Sequence, residues 1–426
     1  MPVMRPPILV ATSALMIVAL AARAQEFETP PLEAPAASLS PAMVSGENFK
    51  VFDPVQSDGL MRHYVIDSRF GVFRAYGRVA LALRLNEIRA LTTISKTSEA
   101  AVVTQAVGQG VEGQIKTVGQ VVKNPVGTVA GIPKGIAHLF GGYAAQAKEL
   151  SARAEKSGGS GGGAGQVASD VKADAGKYAD RYLGIGSAER RWYQQLNVDP
   201  YTDNEALRKS VHHLAQVEAA TNVGMHFAAI PGIPYIGEVQ RAMSAIYTED
   251  PAVLRQKRHD TLAGFGLSSA EIARFESTLL LSPTRQVLLV DAVKALDGVE
   301  GRAELIRHAL GVTDEQEVQV FLRSAALLVR AHHEQPVARI LPGLRVPTAQ
   351  LATGRVQVFA AVESVYYTEE VAGYEQGILA AVPTDATGHE LWIAGSVSAL
   401  ARRAFEAHGW EVHENAEPAL TAPAKS

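Results

Sequence analysis

Four small residues, Gly395-Ser396-Val397-Ser398, stand where an apolar strand pattern gives way to a helical one. Free backbone amides at the amino end of a helix can hold an anion, and a serine there is either a cap or a candidate nucleophile. Gly395, Ser396 and Ser398 are therefore the candidate ligand-binding residues. Their framing is sparse, because neither a G-x-G-x-x-G, a Walker sequence nor the Gly-x-Ser-x-Gly of a nucleophile elbow surrounds them. A hydrolase sited there would need a deep pocket holding a histidine, for example His389 or His408, and a carboxylate.

The histidines and carboxylates offer the other routes to chemistry. Twelve histidines include the pairs His212-His213 and His332-His333, with His226 and Glu334 close in sequence. Neighbouring positions on a helix point about 100° apart, so neither pair presents two imidazoles to one metal as an i, i+4 pair does. H-E-x-x-H is absent, and neither a metal nor a cofactor is expected. Glu363, Glu369, Glu370 and Glu375 lie beside Tyr366, Tyr367 and Tyr374. Such a cluster lines a polar groove or, more simply, a half-exposed strand and turn. The chain has no Cys, which excludes a thiol nucleophile, a thiolate metal site and a lipid-modified cysteine anchor.

One further stretch invites a contact rather than a reaction. Residues 101–147 are rich in Val, Ile and Gly, and Gly127, Gly131 and Gly135 fall four apart, the spacing that lets helices approach closely. Pro125, Pro133, Lys123 and Lys134 interrupt the pattern, so no apolar run there reaches the roughly 20 residues of a bilayer crossing. Gly127, Gly131 and Gly135 are the candidate contacts to a membrane surface or a partner protein.

Stepping outward, Arg5, the apolar stretch 8–20 and the small-x-small Ala22-Arg23-Ala24 read as a signal peptide, residues 1–24. Residues 25–45, with four prolines, read as a disordered tether, 151–175 as a flexible Gly/Ser linker and 415–426 as a disordered tail. The ordered segments are then 46–150, 176–343 and 346–414. The first combines a β-meander (strands near 49–52, 61–66 and 72–76, with a turn at Asp58-Gly59) with a helix carrying Leu81, Leu85, Ile88 and Leu91, followed by the Gly-rich arm. The second reads as a bundle of five to seven helices, punctuated by capping boxes at Ser268–Glu271 and Thr313–Gln316 and by Ser282-Pro283. In it, Asn197 to Asn204 has the look of an ordered turn, with Asn204 capping the next helix. The third alternates strand, helix and strand as a small βαβ unit. The expected class is α+β, predominantly helical, with a small N-terminal β-meander and a C-terminal βαβ-type unit.

The 426 residues carry 40 basic against 44 acidic groups. Removal of 1–24, with Arg5 and Arg23 and no acid, leaves 38 against 44. No strong positive field exists to hold nucleic acid. The sequence as a whole points to a protein secreted across the inner membrane, periplasmic or peripheral to the envelope, that acts as a structural or interaction module with an envelope protein or membrane surface as partner. An enzyme is the lesser expectation, in the form of a periplasmic hydrolase or small-ligand enzyme centred on 395–398.

Overall fold

The computed structural model describes residues 27–97, 175–221 and 237–416. The signal peptide at 1–24, Gly127, Gly131 and Gly135, His226, and nearly all of the linker and tail lie outside the described residues.

From Phe27 the chain runs as a strap across the molecule into two single-turn helices, α1 (Pro35–Ser38) and α2 (Pro41–Val44). This corrects the expectation of a tether at 25–45. Pro30, Pro31, Pro35 and Pro41 do not free the segment; Pro35 and Pro41 start the two turns, while Leu39 and Met43 are buried. The meander follows, as β1 (Ser45–Gly46), β2 (Phe49–Val51), β3 (Gln56–Ser57), β4 (Arg62–Ser68) and β5 (Gly71–Tyr76). Every pairing is antiparallel; β5 matches β4 from Ser68↔Gly71 to His63↔Tyr76, while β2 and β3 share the other edge of β4. Asp58 makes the intervening turn, its Oδ1 accepting from the Leu60 and Met61 amides at 2.8 and 2.7 Å. The next helix, α3 (Gly77–Thr97), buries Leu81, Leu85, Ile88 and Leu91 against this sheet. At roughly 1.5–3 kcal/mol for each large side chain fully buried, that stripe fixes the helix to the sheet.

The helical part comprises α4 (Ser187–Leu196), α5 (Glu205–Thr221), α6 (Gly237–Thr248), α7 (Pro251–Gly264), α8 (Ser269–Ser277), α9 (Pro283–Ala295), α10 (Glu304–Ala309) and α11 (Glu315–Glu334). The box at Ser268–Glu271 and the Ser282 cap form as expected. The second box shifts by one residue. Asp314 caps α11, with Oδ1 accepting from the Gln316 and Glu317 amides, and Thr313 instead donates its N–H and hydroxyl to Glu317. Asp314 meets two orphan amides where Thr313 would have met one.

The carboxyl-terminal sheet is built from β6 (Val337–Ile340), β7 (Thr348–Leu351), β8 (Val356–Ala360), β10 (His389–Ile393) and β12 (Trp410–His413), in the order β12-β10-β8-β7-β6. β9 (Ser364–Val365) and β11 (Ser396–Val397) form a separate parallel pair. The last three main-sheet strands are parallel, linked by α12 (Glu369–Ala381) and α13 (Ala399–Ala407), so the expected βαβ unit is two successive crossovers beside an antiparallel edge. The Glu/Tyr cluster near 363–375 is thus largely crossover helix rather than strand and turn.

Two large cores cut across the boundaries read from composition. One joins the strap helices, the meander, α3, α4 and α5; the other joins α7 to α11, the carboxyl-terminal sheet and its helices, together with Leu60, Met61 and Tyr76 of the meander. Among the described residues the helices of 176–343 divide between these two cores, apart from a small cluster of Tyr178, Tyr182, Tyr201 and Ile246. The first of these helices belong with the meander and the last with the sheet, where Ser324 of α11 accepts from the Ala361 amide at 2.9 Å. The class is α+β, mostly helical, with several sheets.

Candidate functional site

Where the two cores meet, the meander, the start of α3, the loop 197–203 and the first turns of α9 and α11 enclose a cavity of about 550 Å³. That lies within the roughly 300–1,000 Å³ of small-molecule sites. The loop is the Asn197–Asn204 turn singled out in the sequence. Asn197 ends α4 in the left-handed conformation, φ 52°, which Asn tolerates, and Asn204 caps α5 by accepting from the Leu207 amide at 3.1 Å. Between these ends, Asp199, Tyr201, Thr202 and Asp203 face the cavity.

Charge in the wall is mostly paired. Arg84 of α3 reaches Glu87 at 2.6 Å and Asp203 at 2.8 Å; burial alone would lower its pKa, but these two carboxylates outweigh it and raise it. Glu87 also accepts from the Thr202 hydroxyl and, at 3.0 Å, from the Asn204 amide group. Arg285 of α9 forks onto Glu315 of α11. These acids stand beside the amino ends of α5, α9 and α11, whose dipoles favour negative charge.

Two carboxylates are exceptions: the exposed Asp53, in no ion pair among the described residues, and Asp199. Asp199 Oδ1 accepts from the Tyr201 amide at 2.9 Å and the Thr284 hydroxyl at 2.8 Å, while Oδ2 accepts no hydrogen bond among the described residues. Desolvation pushes the Asp199 pKa above the ordinary value, against the hydrogen bonds of Tyr201 and Thr284 and the charge of Arg285. Around it stand Tyr182 and Tyr201, edge to face at 5.9 Å. Two further cations line the cavity, exposed and in no ion pair among the described residues: Arg74 on β5, and Arg181, whose guanidinium lies 5.4 Å from the Tyr182 ring centre.

A second cluster opens on the same cavity through His63 and Tyr76, partners across β4 and β5. Asp58 Oδ2 accepts from the Tyr76 hydroxyl and pairs with His63 Nε2 at 3.1 Å. Burial raises the Asp58 carboxyl, but His63, Tyr76 and the Met61 amide together bring it below its ordinary value, so it stays ionised and orients the imidazole.

The residues expected to bind ligand at 395–398 are engaged otherwise. Gly395 passes so close to Glu363 that a Cβ there would lie 1.9 Å from the Glu363 carbonyl oxygen. Ser396 pairs with Ser364 in the β9–β11 ladder. Ser398 caps α13, accepting from the Ala401 amide at 3.0 Å and donating to Glu28 of the strap, which also accepts from the Tyr367 amide. The Val397 amide donates to Glu414 at 3.0 Å, so carboxylates of the chain itself hold both this amide and the Ser398 hydroxyl. His408 lies at the far end of α13, bonded to Glu375 at 2.8 Å, and His389 contacts the His408 carbonyl at 3.2 Å. None of these residues lines the cavity.

Of the histidine pairs, His212 holds Glu189 at 2.6 Å and His332 Nδ1 accepts from the Val337 amide at 3.1 Å. Glu390, Glu411 and His413 come within 4.8 Å of one another, but Arg355 already bridges both carboxylates. The sequence did not disclose Asp199, Arg84, Glu87 or Arg285 as a group. The available signals were the acid-rich turn at 197–204 and the charged residues Arg84 and Glu87, one turn apart between apolar positions. Compared with protein-family models, curated proteins and solved structures, the chain matches none. No helix among the described residues is long and apolar enough to cross a membrane.

Proposed function

We propose that the protein is a cell-envelope binding module that captures a small polar molecule in the cavity between the meander and the helices. The observation that carries this reading is the 550 Å³ space walled by paired charges, with Asp199 Oδ2, Asn86 Oδ1 and Gln316 Oε1 left without hydrogen-bond donors among the described residues. Buried charge of this kind stabilises a fold poorly, so a wall of it is better accounted for by recognition than by packing. Asp58, His63 and Tyr76 add an oriented imidazole to the same wall. Location in the envelope rests on the apolar stretch 8–20 and the Ala22-Arg23-Ala24 site.

A thermal-shift panel tests it, using residues 25–426 with polyols, sugars, nucleotides, carboxylates, amines and amino acids at millimolar concentration. A ligand at 100 times its Kd adds about 2.7 kcal/mol of stability. At least one class should raise the melting temperature, and Ala80→Trp, which fills the cavity from α3, should abolish that rise. A panel in which nothing stabilises the protein, or in which Ala80→Trp responds as fully as the parent, removes the cavity as the site.

A further inference from the structure

Four charged groups of the cavity lining are left unpaired among the described residues: Asp199 within, and Arg74, Arg181 and Asp53 at exposed positions. Inside stands Asp199, with Oδ1 committed to Tyr201 and Thr284 and Oδ2 unused. The exposed cations Arg74 and Arg181 belong to the same lining and have no carboxylate partner among the described residues. Every other arginine in the wall is already neutralised, Arg84 by Glu87 and Asp203 and Arg285 by Glu315. An anion driven deep into the cavity would therefore meet Glu87 and Asp199 without a free cation to answer it. A cation placed there meets a carboxylate oxygen that accepts no hydrogen bond among the described residues, beside the ring of Tyr201, whose face also attracts positive charge.

Resting on the reading of the cavity as a binding site, we infer that its ligand is a small zwitterion. Its ammonium group lies on Asp199 Oδ2 beside Tyr201, and its anionic group lies outward at Arg74 and Arg181. An ammonium supplies three donors, enough for Asp199 and neighbouring acceptors. Bringing unlike charges to both ends leaves no buried charge unpaired, the condition under which such contacts contribute to affinity instead of costing it.

The test uses three probes of one length, 6-aminohexanoate, hexylamine and hexanoate, titrated by calorimetry into residues 25–426. Binding should rank 6-aminohexanoate first, hexylamine second and hexanoate last. Asp199→Asn keeps an oxygen to accept from Tyr201 and Thr284 and removes only the charge, so the variant should fold as the parent does by circular dichroism. It should bind 6-aminohexanoate and hexylamine at least tenfold more weakly. Arg74→Ala combined with Arg181→Ala should weaken 6-aminohexanoate while leaving hexylamine unchanged. Equal or tighter binding of hexanoate, or an unaltered Kd in a folded Asp199→Asn protein, overturns the inference. If members of the wider panel stabilise the parent protein but not Ala80→Trp while 6-aminohexanoate does neither, the ligand class is wrong and the cavity stands. If nothing in either set binds, both readings fall.

Discussion

Gly395 illustrates how a residue chosen for chemistry can prove to be chosen for clearance. The turn was visible in the sequence, but the reason for its glycine is the Glu363 backbone, a neighbour 32 positions away that no local pattern discloses. Gly395→Ala should cost about 3 kcal/mol or more, because backbone must separate from backbone. A urea midpoint close to that of the parent would show that the contact is tolerated. Two buried titratable groups set a second expectation. Burial, assisted by Arg307, lowers the His308 pKa to about 4, and neither ring nitrogen has a partner among the described residues. Burial raises the Glu317 pKa to about 7 against its bonds from Thr313. Between about pH 6.5 and 4 the unfolded chain takes up a proton that native His308 refuses, so stability falls with acidification. Between about pH 4.5 and 7 native Glu317 keeps a proton that the unfolded chain releases, so stability falls with rising pH. Each slope amounts to roughly 3 kcal/mol over its range, and the two oppose one another between pH 4.5 and 6.5. The contributions of these two groups should nearly cancel there. His308→Gln should leave a fall towards pH 7, and Glu317→Gln a fall towards pH 4.5; parallel curves for all three proteins would contradict the assignment.

At the scale of elements, the period of the apolar residues was a sound guide and composition was not. The stripe from Leu81 to Leu91, the cap at Ser282 and the strand, helix and strand between Glu390 and Glu414 all became what their spacing implied. The Pro-rich stretch 27–45 misled because its burial comes from distant partners. Glu28 meets Tyr367 and Ser398, Glu33 meets Arg62 at 2.8 Å, and Phe27 stands 6.2 Å from Tyr367. Glu28→Ala should therefore reduce stability by about 1–2 kcal/mol. It should also speed hydrogen exchange at the Tyr367 amide and along 396–401, leaving the meander unaffected. Unchanged exchange at those amides would mean that the strap contributes nothing where it lies.

For the whole molecule, the boundaries suggested by glycine and proline content do not coincide with the cores. Core membership depends on which faces meet, and a single sequence states only that a face is apolar. Since α4 and α5 pack with the meander while α7 to α11 pack with the carboxyl-terminal sheet, a fragment spanning 176–343 should lack a cooperative thermal transition. Residues 25–426 should melt in one transition, with near- and far-ultraviolet dichroism coincident. A fragment that melts sharply alone would restore the independent helical domain. The cavity shared the same obscurity, because its walls come from stretches scattered between Phe52 and Gln319 and only the turn at 197–204 announced itself.

The Glu363 carboxylate accepts from the amides of Arg62 and Arg78, and its own amide donates to the Leu60 carbonyl at 3.0 Å. In synthesis, Arg78 precedes this partner by 285 residues. At about 5–20 residues per second, the amino end of α3 and the edge of the meander wait roughly 15–60 s for it. Throughout that interval the nascent chain presents an incomplete sheet and the apolar stripe of a helix with part of its packing still unmade. The amino end of α3 and the edge of the meander are therefore completed only once the residues around Glu363 have joined them.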